Sequence, residues 1–201
     1  MTQVYIHLPK LEAERALVGG IKLSEKKERT FTYQGIKFNC FTGWLHPNDD
    51  ITRQGDEEYV CIKLNLDERY CFVGARDLYP HELYFKSLVP FSQYRLGTFR
   101  RPQCLICSTV LPSRVKVQGR RLDVPLLYGN SEELYLENVQ SFLAGEYSAF
   151  QNDQLYSFFQ MLAQQDRFEQ IETEDGVVFV GKEGIFSFRK PAFHQYHLEE
   201  L

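Results

Sequence analysis

The sequence predicts an α+β protein. Three observations carry that expectation: a strand, short helix and double-glycine turn at the start, two amphipathic helices after residue 130, and a meander of short strands at the end. Sixteen Phe and twelve Tyr against one Trp fit a β-rich core or an aromatic-lined cleft.

Residues 2–8 (Thr-Gln-Val-Tyr-Ile-His-Leu) read as the first strand. Pro9 can open a helix, Leu11, Ala13, Ala16 and Leu17 continue it, and Gly19-Gly20 stops it. Polar residues 24–30 read as an exposed loop. Ile36–Leu45 is an aromatic-rich strand broken by His46-Pro47-Asn48-Asp49-Asp50. Glu58–Leu64 and Tyr70–Val73 read as strands joined through the turn Asn65-Leu66-Asp67-Glu68. Leu78–Leu88 fits neither period. Cys104–Leu111 is a buried strand closed by Pro112. A helix is expected over Ser131–Leu143, capped by Ser131, and a second over Asp153–Ala163. Phe168–Glu172, Val177–Val180 and Ile185–Phe188 form the meander, with turns at Glu174-Asp175-Gly176 and Lys182-Glu183-Gly184.

At 201 residues the chain can bury a core without disulfides or metals. Its five cysteines are odd in number and sit in apolar runs, as free thiols of a reducing compartment do. The start Met1-Thr2-Gln3-Val4 lacks the pattern of a secretory leader, and no apolar run reaches membrane-span length. The expected location is cytoplasmic, with no membrane partner.

Net charge is −4, but residues 83–122 hold eight basic side chains and no acid. These are Lys86, Arg95, Arg100, Arg101, Arg114, Lys116, Arg120 and Arg121. Local positive potential attracts phosphates even on an acidic protein, so a nucleotide or nucleic-acid partner is expected here. Around Arg100-Arg101-Pro102-Gln103, guanidinium forks for phosphate oxygens alternate with aromatic rings that can stack on bases. A basic surface loop with two core-facing aromatics is the competing reading.

Cys104-x-x-Cys107 has metal-ligand spacing, but no second such pair exists and His194-x-x-His197 is distant, so core cysteines are expected and no metal. No Gly-x-Ser-x-Gly elbow and no glycine-rich phosphate loop occurs.

Tyr5-Ile6-His7, the short helix and Val18-Gly19-Gly20-Ile21-Lys22-Leu23-Ser24 together resemble the opening of ADP-ribosyltransferase-like domains. Cys40 to Asp50 occupies the place of their small-residue strand and Pro-x-Asp loop. Tyr94 to Val110 resembles the arginine-x-Pro-Glu-x-Leu-Val stretch of the DNA-directed, toxin-like (DarT-like) branch. The likeness spans about residues 4–117. It implies split, curved mixed β-sheets with short flanking helices over residues 1–125, with the helices and meander of 126–201 packed on them as an extension. It implies NAD as cofactor and transfer of ADP-ribose to nucleic acid or protein.

The resemblance makes His7 a cofactor residue and puts Gln103 where the family's catalytic glutamate stands. The basic block offers Arg100 and Arg101 as further cofactor contacts and Arg95, Arg114, Lys116, Arg120 and Arg121 as nucleic-acid contacts. A carboxylate stabilises an oxocarbenium-like sugar by charge, whereas glutamine offers only hydrogen bonds. Four readings stay open: another acid acts (Glu57, Glu58 or Glu82), the site binds without turnover, the register is shifted, or glutamine is an inactivating replacement. A catalytically inactive nucleotide- or nucleic-acid-binding module is one alternative function. A protein-interaction domain using Phe186, Phe188, Phe193 and Tyr196 is another.

Overall fold

The structure is a computed structural model that describes residues 1–118, 128–142 and 152–189. Arg120, Arg121, Phe193, His194, Tyr196 and His197 lie outside the described residues.

The first strand, β1 (Thr2–Pro9), sends Val4, Ile6 and Leu8 to one face and Tyr5 and His7 to the other. Helix α1 (Lys10–Gly19) covers the first face with Ala13 and Ala16, while Leu11 and Val18 stay exposed. Small side chains let the short helix lie close to the sheet. Gly20 ends it at φ 75°, its N–H donating to Ala16 O at 2.9 Å. A Cβ at Gly20 would stand 2.3 Å from Val110 O, so glycine also permits the bridge between Ile21 and Val110.

Residues 24–30 are not simply a loop. They contain the end of a one-turn helix, α2 (Leu23–Lys26), and the start of β2 (Arg29–Tyr33). β2 forms a hairpin with β3 (Ile36–Trp44) across Gln34 and Gly35, both at positive φ (49° and 79°). β4 (Tyr59–Leu66) pairs with β1 along its length. β5 (Cys71–Ala75), the short helix α3 (Leu83–Lys86) and β6 (Val89–Pro90) follow. β7 runs over Pro102–Ile106, earlier than the expected Cys104–Leu111, because Leu105 and Ile106 complete its pairing with β3 and β5. β8 is Val115–Val117.

Helices α4 (Ser131–Phe142) and α5 (Asn152–Gln164) stand where the apolar period places them. The cap of α4 is Asn130 rather than Ser131: Asn130 Oδ1 accepts from Glu133 N at 2.9 Å. The meander is β9 (Glu169–Glu172), β10 (Gly176–Gly181) and β11 (Gly184–Arg189).

The protein is α+β, with a large sheet in the order β6-β5-β7-β3-β1-β4-β8, β2 attached to β3, and a second sheet β11-β10-β9. The sheets are not mixed as expected: every pairing among the described residues is antiparallel. Short hairpins set that direction only for β2–β3, β9–β10 and β10–β11; the other strands of the large sheet, such as β1 with β4 and β3 with β7, pair through long connections.

The core is layered. Val4, Ile6, Phe41, Ile62, Leu64 and Ile106 pack beneath α1. On the other face Phe31, Phe72 and Leu105 meet Ile171 and Val178 of the small sheet. That sheet is covered on its far side too, where Val177, Phe179 and Phe188 pack against Tyr135 of α4 and Phe159 of α5. Phe188 is fully buried and Phe186 packs on the same cluster, so these two aromatics belong to the core and not to an exposed patch.

Candidate functional site

Residues directly opposite in an antiparallel pair put their side chains on the same face. Tyr5 opposes Trp44, Trp44 opposes Gln103, and Gln103 opposes Gly74. His7, two residues beyond Tyr5, shares that face. His7 and Gln103 therefore lie on one sheet face, with β3 between their strands, roughly 10 Å apart across the sheet at the usual strand spacing, and both side chains are largely buried there, 8 % and 5 % exposed.

Gln103 is held firmly. Its Oε1 accepts from Arg29 Nη1 at 2.8 Å and from the buried Tyr84 hydroxyl at 2.9 Å. Arg29 also donates to that hydroxyl at 3.0 Å, closing a triangle. Gly74 makes room for it: a Cβ there would lie 3.2 Å from the Tyr84 ring and 2.7 Å from Leu88. Both bonds use the carboxamide oxygen, and among the described residues Nε2 has no partner.

His7 faces the loop after β3, with Nδ1 3.5 Å from Asp50 Oδ2. That is an ion-pair distance, too long for a sound hydrogen bond, and among the described residues Nδ1 has no other partner. Burial works against ionisation of Asp50, but His7, the Thr52 hydroxyl at 2.8 Å and Trp44 together hold its carboxyl below the usual range. Tyr5 lines an adjoining cavity of about 280 Å³ with Leu45, His46, Phe91, Tyr94 and Tyr128.

Arg100 and Arg101 separate sharply. Arg100 is 1 % exposed and its Nη2 lies 2.5 Å from Asp77 Oδ1, with Glu132 Oε1 3.9 Å from Nη1. Its guanidinium is held inside the protein by Asp77, although among the described residues Nη1 has no hydrogen-bond partner. Arg101 instead reaches the surface and pairs with Asp175 in the β9–β10 turn. Arg95 is exposed beside Gly97 at the edge of a different cavity, of about 490 Å³. Arg114 and Lys116 lie at β8, the sheet edge remote from β7, and Lys116 opposes Lys63. The basic block therefore does not gather on one face.

Two arginines outside that block join the site. Arg29 stacks on Tyr79, its guanidinium carbon 3.8 Å from the ring centroid, and Arg76 lies 5.0 Å from the same centroid. The β2–β3 hairpin, turned at Gln34-Gly35, brings Arg29 there. Arg76 follows β5 with no pattern to mark it.

The other acids considered stand apart. Glu82 is exposed and pairs with Lys86 at 2.8 Å, and Glu57 and Glu58 are exposed before β4. Asp49 is buried and structural. Its carboxylate accepts from Ser131 N at 2.8 Å, Ser131 Oγ at 2.7 Å and His46 N at 3.0 Å, fixing the start of α4. Burial nonetheless outweighs these bonds and raises its pKa from 3.8 to about 6. A raised carboxyl pKa favours the folded state when protonated. Asp49's contribution is therefore full below 3.8 and is lost as pH rises through about 6. Carbon NMR of the Asp49 carboxyl should titrate with a midpoint near 6, and a midpoint near 4 would contradict the burial argument.

Burial also pushes the thiols up, Cys40 to about 11 and Cys61 and Cys107 to about 12, so these are poor thiolate nucleophiles at neutral pH. Among the described residues no group of three His, Cys, Asp or Glu could hold a metal ion, and no helix is long and apolar enough to cross a membrane. Compared with known proteins, the chain matches no family model, no curated protein and no solved structure.

Proposed function

We propose that this chain is an ADP-ribosyltransferase-like domain that binds NAD across the sheet face bearing His7, Trp44 and Gln103. The observation that carries the reading is their common face, set by the row Tyr5–Trp44–Gln103 with His7 beside it. His7 would meet the adenosine ribose. Gln103 would donate from Nε2 to a hydroxyl of the nicotinamide ribose. Transfer would break the bond between that ribose's anomeric carbon and the nicotinamide nitrogen, with an acceptor nucleophile from nucleic acid or protein bonding to the same carbon.

The neutral carboxamide, with Arg29 beside it, does nothing to stabilise positive charge on the sugar. This favours a second form of the proposal, a nucleotide-binding module with little or no turnover. Incubation with labelled NAD separates the two. Wild-type protein is expected to bind, and Gln103→Glu to gain transfer or hydrolysis if the fold retains a catalytic geometry. Binding without activity in both proteins supports the module. Neither binding nor activity in either protein at millimolar NAD overturns the proposal.

A further inference from the structure

Arg29, Arg76 and Arg101 come from three segments and converge beside Gln103. Arg29 enters on β2, Arg76 follows β5, and Arg101 precedes β7, where its carbonyl accepts from Arg76 N at 2.9 Å. All three are half-buried. Burial lowers the pKa of Arg76 and the charges of Arg29 and Arg101 lower it further, while Tyr84 and Asp175 act against the shift. Gathering like charges in this way is unfavourable unless an anion offsets it.

Protein carboxylates offset part of it, Asp175 beside Arg76 and Arg101, and Asp49 near Arg101. Among the described residues neither Arg29 nor Arg76 forms a salt bridge, and Arg101 pairs only with Asp175, whose side chain is 56 % exposed. Among the described residues, Arg101 Nε is a buried donor with no hydrogen-bond partner. A cavity of about 290 Å³, lined by Arg100, Arg101, Glu132, Asp175 and Arg189 among others, opens at the Arg101 edge of the cluster. A phosphate group suits such a setting, because its several oxygens accept forked guanidinium contacts from different directions at once.

We propose that Arg29, Arg76 and Arg101 form a binding site for a phosphate-bearing ligand, with Asp175 as the internal carboxylate that the ligand displaces. The β9–β10 turn then acts as a charged stopper: Asp175 neutralises Arg101 until a stronger anion takes its place. This site does not depend on the role proposed for His7, since charge and geometry at three arginines define it.

Calorimetric titration of the full chain with inorganic pyrophosphate at low salt tests the proposal, with ADP as a second ligand. Wild type is expected to bind, and Asp175→Asn to bind about tenfold more tightly because a competing charge is gone. Arg76→Gln is expected to weaken binding about tenfold, and added salt to weaken it in every variant. Tighter binding of ADP than of pyrophosphate assigns the phosphate to a nucleotide, and equal binding assigns it to free phosphate species. Both outcomes uphold the site. Asp175→Asn is an exposed substitution, so it remains informative if Arg76→Gln folds poorly. No pyrophosphate binding by wild type and Asp175→Asn, or weaker binding by Asp175→Asn, overturns the proposal. NAD binding that persists in that case leaves the reading of His7 and Gln103 standing.

Discussion

Arg100→Met is expected to destabilise the protein by about 3–5 kcal/mol, because it leaves Asp77 ionised and alone in the interior. Side-chain exposure is 1 % for Arg100 and 0 % for Asp77. The two pair at 2.5 Å, and a Cβ built on Gly176 would come within 3.3 Å of Arg100 Nη2. The pair thus sits where the large sheet, the turn after β5 and the small sheet meet. Thermal unfolding should show the loss as a drop of about 2–4 °C per kcal/mol for a chain of this size. Replacing both partners, Arg100→Met with Asp77→Leu, should recover most of the loss, since no buried charge then remains. An unchanged melting temperature for Arg100→Met would show that Arg100 is not the partner Asp77 requires.

Gln103→Leu is expected to cost at least about 2 kcal/mol, because two donors lose their acceptor at once. The Tyr84 hydroxyl is fully buried and cannot turn to solvent, and Arg29 is pinned over Tyr79. Gln103→Glu should behave in the opposite way. Its carboxylate would accept from the same hydroxyl and form an ion pair with Arg29, so little or no stability is lost. Urea unfolding of the two variants checks this directly. Equal midpoints for Gln103→Leu and wild type would break the account of the triangle, and a collapse of Gln103→Glu would show that the pocket does not accept charge. The contrast has a functional side. A position already furnished with an arginine and a hydroxyl is one where glutamate fits, which makes the change from glutamine to glutamate a fair test of catalytic capacity.

Elements with a strong local period were legible in the sequence. β1, α1 with its Gly20 stop, α4, α5 and the meander carry their own apolar spacing and turn residues. The β2–β3 hairpin was missed because Lys26, Lys27, Glu28 and Arg29 mask the short alternation of Thr30 to Tyr33, and Gln-Gly is a weaker turn signal than Asn-Gly. The start of β7 was misjudged because Pro102 reads as a breaker. Its ring is tolerated as the first residue of a strand.

The site was legible only in part. His7 and Gln103 could be singled out along the chain, but their common face follows from β3 lying between β1 and β7, which no local pattern states. Charge counted along the sequence also differs from charge in space. The acid-free window holds Arg100, which Asp77 consumes from outside the window, and Lys116, which the topology carries to the far edge. The cations that do converge include Arg29 and Arg76, both beyond its limits.

The central claim is that NAD binds on the face of His7, Trp44 and Gln103. Trp44 is the chain's one tryptophan and stands in that row, so its fluorescence reports on the face without a label. Titration with NAD should change Trp44 emission along a saturating curve, and His7→Ala should shift that curve to higher NAD concentrations. Emission that stays constant up to millimolar NAD, or a curve identical in His7→Ala, would contradict it.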